Sequence, residues 1–317
     1  MPRFAALRTG VFHSTYFVRS TNQAEIMART STGWPDLDEM LGGGLLPGTM
    51  TVVLGASGIG KTQLGTRFAH HGLQQDGHAG VIFDMTSRGD SQNHLDYARS
   101  LCGWNLSSHS PQGAPSLPDL MDLNVAIPQH MHQFSHSGRR VTESDMTPDQ
   151  WREWKYEQAK QLDRTIAFFY GHFVRGVRRC VIDGIEPTDK ASDSIQFEMF
   201  EYIYHQILRK EHDWVARDLF RVAFREHSDV IMTQAYDHRD IACLLLATSH
   251  EVMLDDLIVR PLQSGDVLSN ANTIILMGRV RQSDRLGRAL HVAKHRGSAC
   301  DDAIRPFEIT DGGLRFI

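Results

Sequence analysis

The eight residues Gly55-Ala56-Ser57-Gly58-Ile59-Gly60-Lys61-Thr62 fit the pattern G-x-x-x-x-G-K-[ST], a spacing suited to cradling phosphate. Small residues let successive backbone N–H groups turn inward as an anion nest, and a following helix adds its positive end. In such a loop Lys61 reaches the β- and γ-phosphates of a nucleotide, and the Thr62 hydroxyl holds Mg²⁺. Gly-rich turns also arise by chance ahead of helices, so the flanks decide. Thr51 to Leu54 is a β-branched, apolar run that predicts a short buried strand. Leu64, Phe68 and Leu73 then recur on a roughly helical period until Gly77. Strand, loop and helix together predict a nucleoside triphosphate site.

A phosphate loop of this kind needs an acid beside its metal. Arg178-Arg179-Cys180-Val181-Ile182-Asp183 supplies an apolar strand ending in aspartate. Asp183 is therefore the predicted magnesium-shell residue, its carboxylate commonly acting through a water. Many buried strands end in Asp, and the signal gains its force from lying downstream of the loop. Glu186 is a second carboxylate that could serve catalysis, although a loop or capping role fits it equally.

The elements that must position these groups belong to a globular chain. It has 317 residues, is 41% hydrophobic and 22% charged, and carries a formal net charge of −5. That length accommodates one large domain or two small ones. The acidic balance argues against a constitutive nucleic-acid binder, and no apolar run is long enough to span a bilayer. Cys102, Cys180, Cys243 and Cys300 lie far apart without a C-x-x-C pair. They read as reduced thiols of a cytoplasmic protein. Residues 1–27 carry Arg3, Arg8 and Arg19 with no acid before Glu25; the expectation is a poorly ordered extension ahead of the patterned chain.

Before the loop, Ser31-Thr32-Gly33-Trp34-Pro35-Asp36-Leu37-Asp38-Glu39-Met40-Leu41-Gly42-Gly43-Gly44-Leu45-Leu46-Pro47-Gly48 predicts a short helix from Asp36 to Leu41, a glycine stop and a turn. Near the end, Ala271 to Arg279 and Arg288 to His295 read as strands around a turn over Gln282 to Gly287. They lead into Lys294-His295-Arg296-Gly297-Ser298 and Ile304-Arg305-Pro306-Phe307-Glu308-Ile309-Thr310-Asp311-Gly312-Gly313-Leu314. Leader, loop, acidic strand and terminal hairpin together resemble the RecA-superfamily ATPases of the KaiC and RadA type, over most of residues 28–317. The resemblance implies one α/β domain with a mostly parallel sheet flanked by helices and a C-terminal β-hairpin extension. It implies ATP rather than GTP, Mg²⁺, hydrolysis, and assembly into a ring or filament. Lys294 and Arg296 match residues that cross a subunit interface to the neighbour's γ-phosphate, supplying cations to the transition state.

Two departures qualify that expectation. After the strand Gly80 to Met85, Thr86 and Ser87 stand where the family has paired glutamates, one of which activates water. A hydroxyl is no general base near neutral pH; Asp84 and Asp90 are nearby but displaced substitutes. A non-catalytic nucleotide switch or scaffold is thus the rival reading. The other departure lies at residues 252–268, matching a loop that contacts DNA in recombinases. There Asp255, Asp256 and Asp266 face Arg260 alone, the wrong charge for tracking phosphates, so DNA binding is disfavoured.

Between the motifs, residues 105–148 hold Pro111, Pro115, Pro118, Pro128 and Pro148, which predicts an inserted loop without a sheet element. Its His130, His132 and His136 read as solvated, with no nearby acid or Cys to complete a metal set. Thr147-Pro148-Asp149-Gln150 predicts a capping box opening one long helix through Trp151, Trp154, Leu162, Ile166, Phe169 and Phe173. Residues 190–240 read as charged helices, with 209–240 a second insertion that could serve an oligomer or protein partner. The mostly apolar run Ile241 to Ser249 predicts a buried central strand.

Overall fold

The computed structural model describes residues 28–86, 94–109, 117–134, 146–187, 194–260 and 268–317. The expected extension over 1–27, and Ser87, Asp90, His136 and Asp266, lie outside them.

Among the described residues the chain folds around a nine-stranded sheet: β1 (Met50–Gly55), β2 (Val81–Asp84), β3 (His130–His132), β4 (Arg179–Ile185), β5 (Ala242–Thr248), β6 (Thr273–Gln282), β7 (Arg285–His295), β8 (Arg305–Thr310) and β9 (Gly313–Phe316). Their spatial order is β3-β2-β4-β5-β1-β6-β7-β8-β9. From β3 to β6 every neighbouring pair is parallel, and from β6 onward every pair is antiparallel. The sequence pattern explains the switch. β1, β4 and β5 are buried along almost their whole length, as strands covered on both faces must be. β7 and β8 mix exposed and buried positions, as suits a hairpin with one wet side.

Helices cover both faces. On one face, α1 (Pro35–Met40) and α2 (Lys61–Gln75) pack with Val53, Leu244, Leu246 and Ile275. On the other, α6 (Leu162–Phe173) brings Phe168, Phe169 and Phe173 against Phe83, Ile182 and Leu245. Arg179 is wholly buried beneath α2. Its guanidinium is bound by Asp76, Gln75 and the carbonyls of Ser31 and Phe68, tying the leader to the sheet.

Four expectations need correction. The proline-rich stretch does contribute a sheet element, since β3 adds a parallel edge to β2. Three residues are too few to show a period. The single long helix is two, α5 (Pro148–Lys160) and α6, interrupted at Gln161. Its capping box is present: Gln150 N–H donates to Thr147 Oγ1 at 3.3 Å, and Thr147 N–H to Gln150 Oε1 at 3.0 Å. The turn over 282–287 is tighter than expected, β6 and β7 pairing out to Gln282 and Arg285. His130 is not solvated; its surroundings are described below.

The charged helical stretch comprises α7 (Ile195–Tyr202), continued by a wider turn to Leu208, then α8 (His212–Phe220) and α9 (Phe224–Thr233). Its Met199, Phe200, Ile203, Ile207 and Leu208 are buried in the core. Among the described residues no helix is long and apolar enough to cross a membrane.

Candidate functional site

β1, β2, β4 and β5 end at one edge of the sheet, with Gly55 opposite Thr248 and Asp84 opposite Asp183. Open α/β sheets bind ligands at that edge. The phosphate loop leaves β1 there and enters α2 at Lys61. Gly60 has φ +118°, and a Cβ on it would lie 3.0 Å from Leu314 of β9. The turn therefore needs glycine both for its backbone angle and for the hairpin packed against it. Ser57 and Gly58 are exposed, and nothing lies within 4 Å of a Cβ built on Gly58. The loop's outer face is open to a ligand.

Lys61 is buried, and its ammonium donates to the carbonyls of Gly55 at 2.8 Å and Ala56 at 2.9 Å. Burial pulls its pKa down to about 8, against the opposing charge of Asp183. A desolvated ammonium whose hydrogen bonds go to neutral carbonyls is poised to take anionic partners. Thr62 Oγ1 donates to Asp183 Oδ2 at 2.9 Å. The predicted hydroxyl and carboxylate are thus in contact at the head of α2, a donor pair that suits a hard divalent cation. Asp183 owes its place to Gly184. That residue has φ +105°, and a Cβ there would lie 2.4 Å from the Thr86 nitrogen. The register with β5 shifts between Asp183 and Ile185 at the same point.

Beside this pair lies a corner that sequence reasoning missed. His94 opens α3 (His94–Cys102) and is buried between two aspartates. Its Nε2 is 3.1 Å from Asp183 Oδ2 and its Nδ1 is 3.4 Å from Asp84 Oδ2. Burial disfavours the imidazolium, but the bonds to Asp183 and Asp84 and their charges overcome it and raise the pKa to about 10. Asp84 is opposed by its own burial, yet His130, His94 and His132 hold its carboxyl well below the usual range. The nitrogens of His130 and His132 each stand 3.9 Å from Asp84 Oδ2. An acid does therefore stand beside these histidines, supplied by β2 forty-odd positions earlier. The available signal was the terminal aspartate of β2, the same signature that revealed Asp183.

The remaining predicted residues are placed as follows. Thr86 is buried; its N–H donates to Asp84 Oδ1 at 2.8 Å, and its carbonyl accepts from His132 Nε2 at 2.9 Å. Glu186, half-buried, follows β4, with its N–H 3.4 Å from Gln196 Oε1. Ser249 N–H donates to the Gly55 carbonyl at 3.1 Å, bringing the end of β5 to the loop. Lys294 and Arg296 are not brought to this edge. Lys294 pairs with Ile274, which pairs with Val52, about 10 Å down the strands from Gly55 at 3.3 Å per residue. Arg296 is exposed and lies farther still, its N–H bonded to Asn272.

A family model described as "ATPase: KaiC" matches residues 30–212, more than half of the chain. Among curated proteins, the circadian clock oscillator protein KaiC of Parathermosynechococcus lividus is 24% identical over 287 residues, 90% of this chain and 40% of that protein. Its counterpart from Prochlorococcus marinus (strain MIT 9313) is 23% identical over 286 residues, 90% of this chain and 43% of that protein. The chain thus spans less than half the length of these relatives. With the phosphate loop, its acidic partner strand and the mostly parallel sheet in place, the chain belongs to the KaiC ATPase family as a RecA-like P-loop ATPase domain.

Proposed function

We propose that the chain binds ATP with Mg²⁺ and hydrolyses it at a subunit interface within a ring or filament. The contact of Thr62 with Asp183, one residue from the buried Lys61, carries this reading. Thr62 and Asp183 would hold Mg²⁺, whose chemistry there would be to neutralise charge developing on the phosphates. Gly55 to Gly60 wrap the phosphates with backbone N–H groups, and Lys61 exchanges its loop carbonyls for phosphate oxygens. Thr62 and Asp183 hold the metal's shell, and Glu186 orients the attacking water. Lys294 and Arg296 serve a neighbour's site; their distance from their own loop supports action in trans.

The experiment is phosphate release per subunit, measured across protein concentration. Specific activity is expected to climb with concentration and plateau on assembly. The double variant Lys294→Ala/Arg296→Ala should bind ATP nearly normally and hydrolyse it about a thousandfold more slowly. Mixing it with Lys61→Ala should restore part of the activity, because some interfaces then pair an intact loop with intact cations. Activity per subunit that stays flat on dilution would overturn the trans mechanism.

Thr86 favours a second reading, a nucleotide switch that hydrolyses poorly: a hydroxyl follows β2 where the resemblance leads one to expect a glutamate, and it is no general base near neutral pH. Thr86→Glu separates the two. A positioned base is worth about a hundredfold or more, so a rise of that size identifies the missing carboxylate as limiting. No rise in a wild type that is already active points to another group, with Asp84, Asp90 and Glu186 the ones to mutate next.

A further inference from the structure

Asp84, His94 and His130 place one ligand atom each within 4.8 Å of one another, all three residues being buried. The atoms are Asp84 Oδ2, His94 Nδ1 and His130 Nε2. His94 Nδ1 and His130 Nε2 are fully enclosed; both face the Asp84 carboxylate, and neither makes a well-aligned hydrogen bond among the described residues. Buried ring nitrogens without well-formed hydrogen bonds are costly. Their separations from Asp84 Oδ2, 3.4 and 3.9 Å, are close to the roughly 3.4 Å between ligands on a tetrahedral ion with metal–nitrogen bonds of about 2.05 Å.

The opposite nitrogens are engaged. His130 Nδ1 is 2.8 Å from Ser108 Oγ, and His94 Nε2 is 3.1 Å from Asp183 Oδ2. An N–H donated outward from each ring points the inward nitrogen at the metal, which on binding displaces the Nδ1 proton of the His94 imidazolium; second-shell hydroxyls and carboxylates orient metal-binding histidines in this manner. The backbone fixes the corner too. His130 N–H donates to Ser107, and its carbonyl accepts from His109 N–H.

We propose that Asp84, His94 and His130 form a binding site for a divalent first-row transition-metal ion, separate from the magnesium site. Two imidazoles and one carboxylate suit zinc, cobalt or iron(II) and disfavour magnesium and calcium, which take oxygen ligands. The three residues leave at least one coordination position for water. Through His94 the ion would fix the same Asp183 oxygen that accepts from Thr62, so its presence would be felt at the phosphate loop.

The test uses the full chain stripped with a chelator and titrated with Zn²⁺ against a chromophoric competitor, then with Co²⁺ followed by visible absorption. One tight equivalent with a nitrogen/oxygen-ligated Co²⁺ spectrum is expected. His94→Ala and His130→Ala should each abolish it. Ser108→Ala, at an exposed position that should not endanger folding, should weaken it about 10–100-fold. His291→Ala, far from the corner, should leave it unchanged. Lys61→Ala should also leave it unchanged while losing ATP, which separates failure of this site from failure of the nucleotide reading. Absence of a tight equivalent, or equal binding by wild type and Ser108→Ala, would overturn the proposal.

Discussion

The two halves of the site's edge are built in opposite ways. Gly55 to Thr62 is one continuous segment, and the Lys61 ammonium is held by carbonyls only five and six positions earlier. The neighbouring corner draws Asp84, His94, His130 and Asp183 from four separate elements, with His94 and Asp183 separated by 89 positions. A local site is specified by the angles of a short loop. A composite site exists only once β2, β3, α3 and β4 have docked. The local half should tolerate changes in distant packing, and the composite half should respond to anything that shifts one strand end.

The sharpest break is Lys61→Ala. Removing a buried ammonium that takes charge-assisted bonds to phosphate, worth about 3 kcal/mol, should lower ATP affinity about a hundredfold or more by calorimetry. The corner's histidine pKa values should stay in place by NMR. Undiminished ATP affinity would remove the basis for assigning the loop any phosphate chemistry.

A smaller effect separates the halves by pH, with a chelator present and no nucleotide. His94 has its pKa raised from 6.5 to about 10, so its stabilising contribution is complete below pH 6.5 and is lost as pH rises through about 10. Lys61 has its pKa lowered from 10.5 to about 8, so its contribution improves between those values. Stability should therefore fall by about 2 kcal/mol between pH 6.5 and 8 and level off between pH 8 and 10. Chemical denaturation at several pH values checks this, and His94→Gln should flatten the first segment. An unchanged first segment in that variant would show that His94 is not the charged bridge.

The smallest expected effect falls on the residue the halves share. Asp183→Asn keeps shape but loses charge, so the Mg²⁺-dependent part of ATP affinity should drop about tenfold. Affinity in EDTA should change little. An equal loss under both conditions would make Asp183 a purely structural partner of Thr62 and His94.

Legibility in the sequence followed the same division. The leader, the loop, the strand carrying Asp183 and the terminal hairpin are each contiguous, and each was readable because its residues meet close neighbours along the chain. β3 was not readable: His130-Met131-His132 is too short to carry alternation and sits among prolines that signal a loop. Arg179 looked like a flanking basic residue, yet it is the fully buried clamp under α2. His94 gave no local sign at all. It lies at the start of an ordinary amphipathic helix, and its meaning comes from two strand ends that only the sheet order places side by side. The break at Gln161 escaped because the apolar stripe runs on through it without a proline or glycine.

The placement of Lys294 and Arg296 about 10 Å or more down the strands from their own loop also bears on any assembly that uses them. A two-fold dimer joins identical patches, and a patch holding both loop and cations would let two copies complete each other's sites. In a ring or filament of the kind proposed, a subunit offers its loop to one neighbour and its cations to another, which is a head-to-tail, heterologous contact. Such a chain of subunits has a direction. If the rotation per subunit closes, every site in a ring is complete; if it does not, the filament has one terminal subunit whose loop lacks a donor.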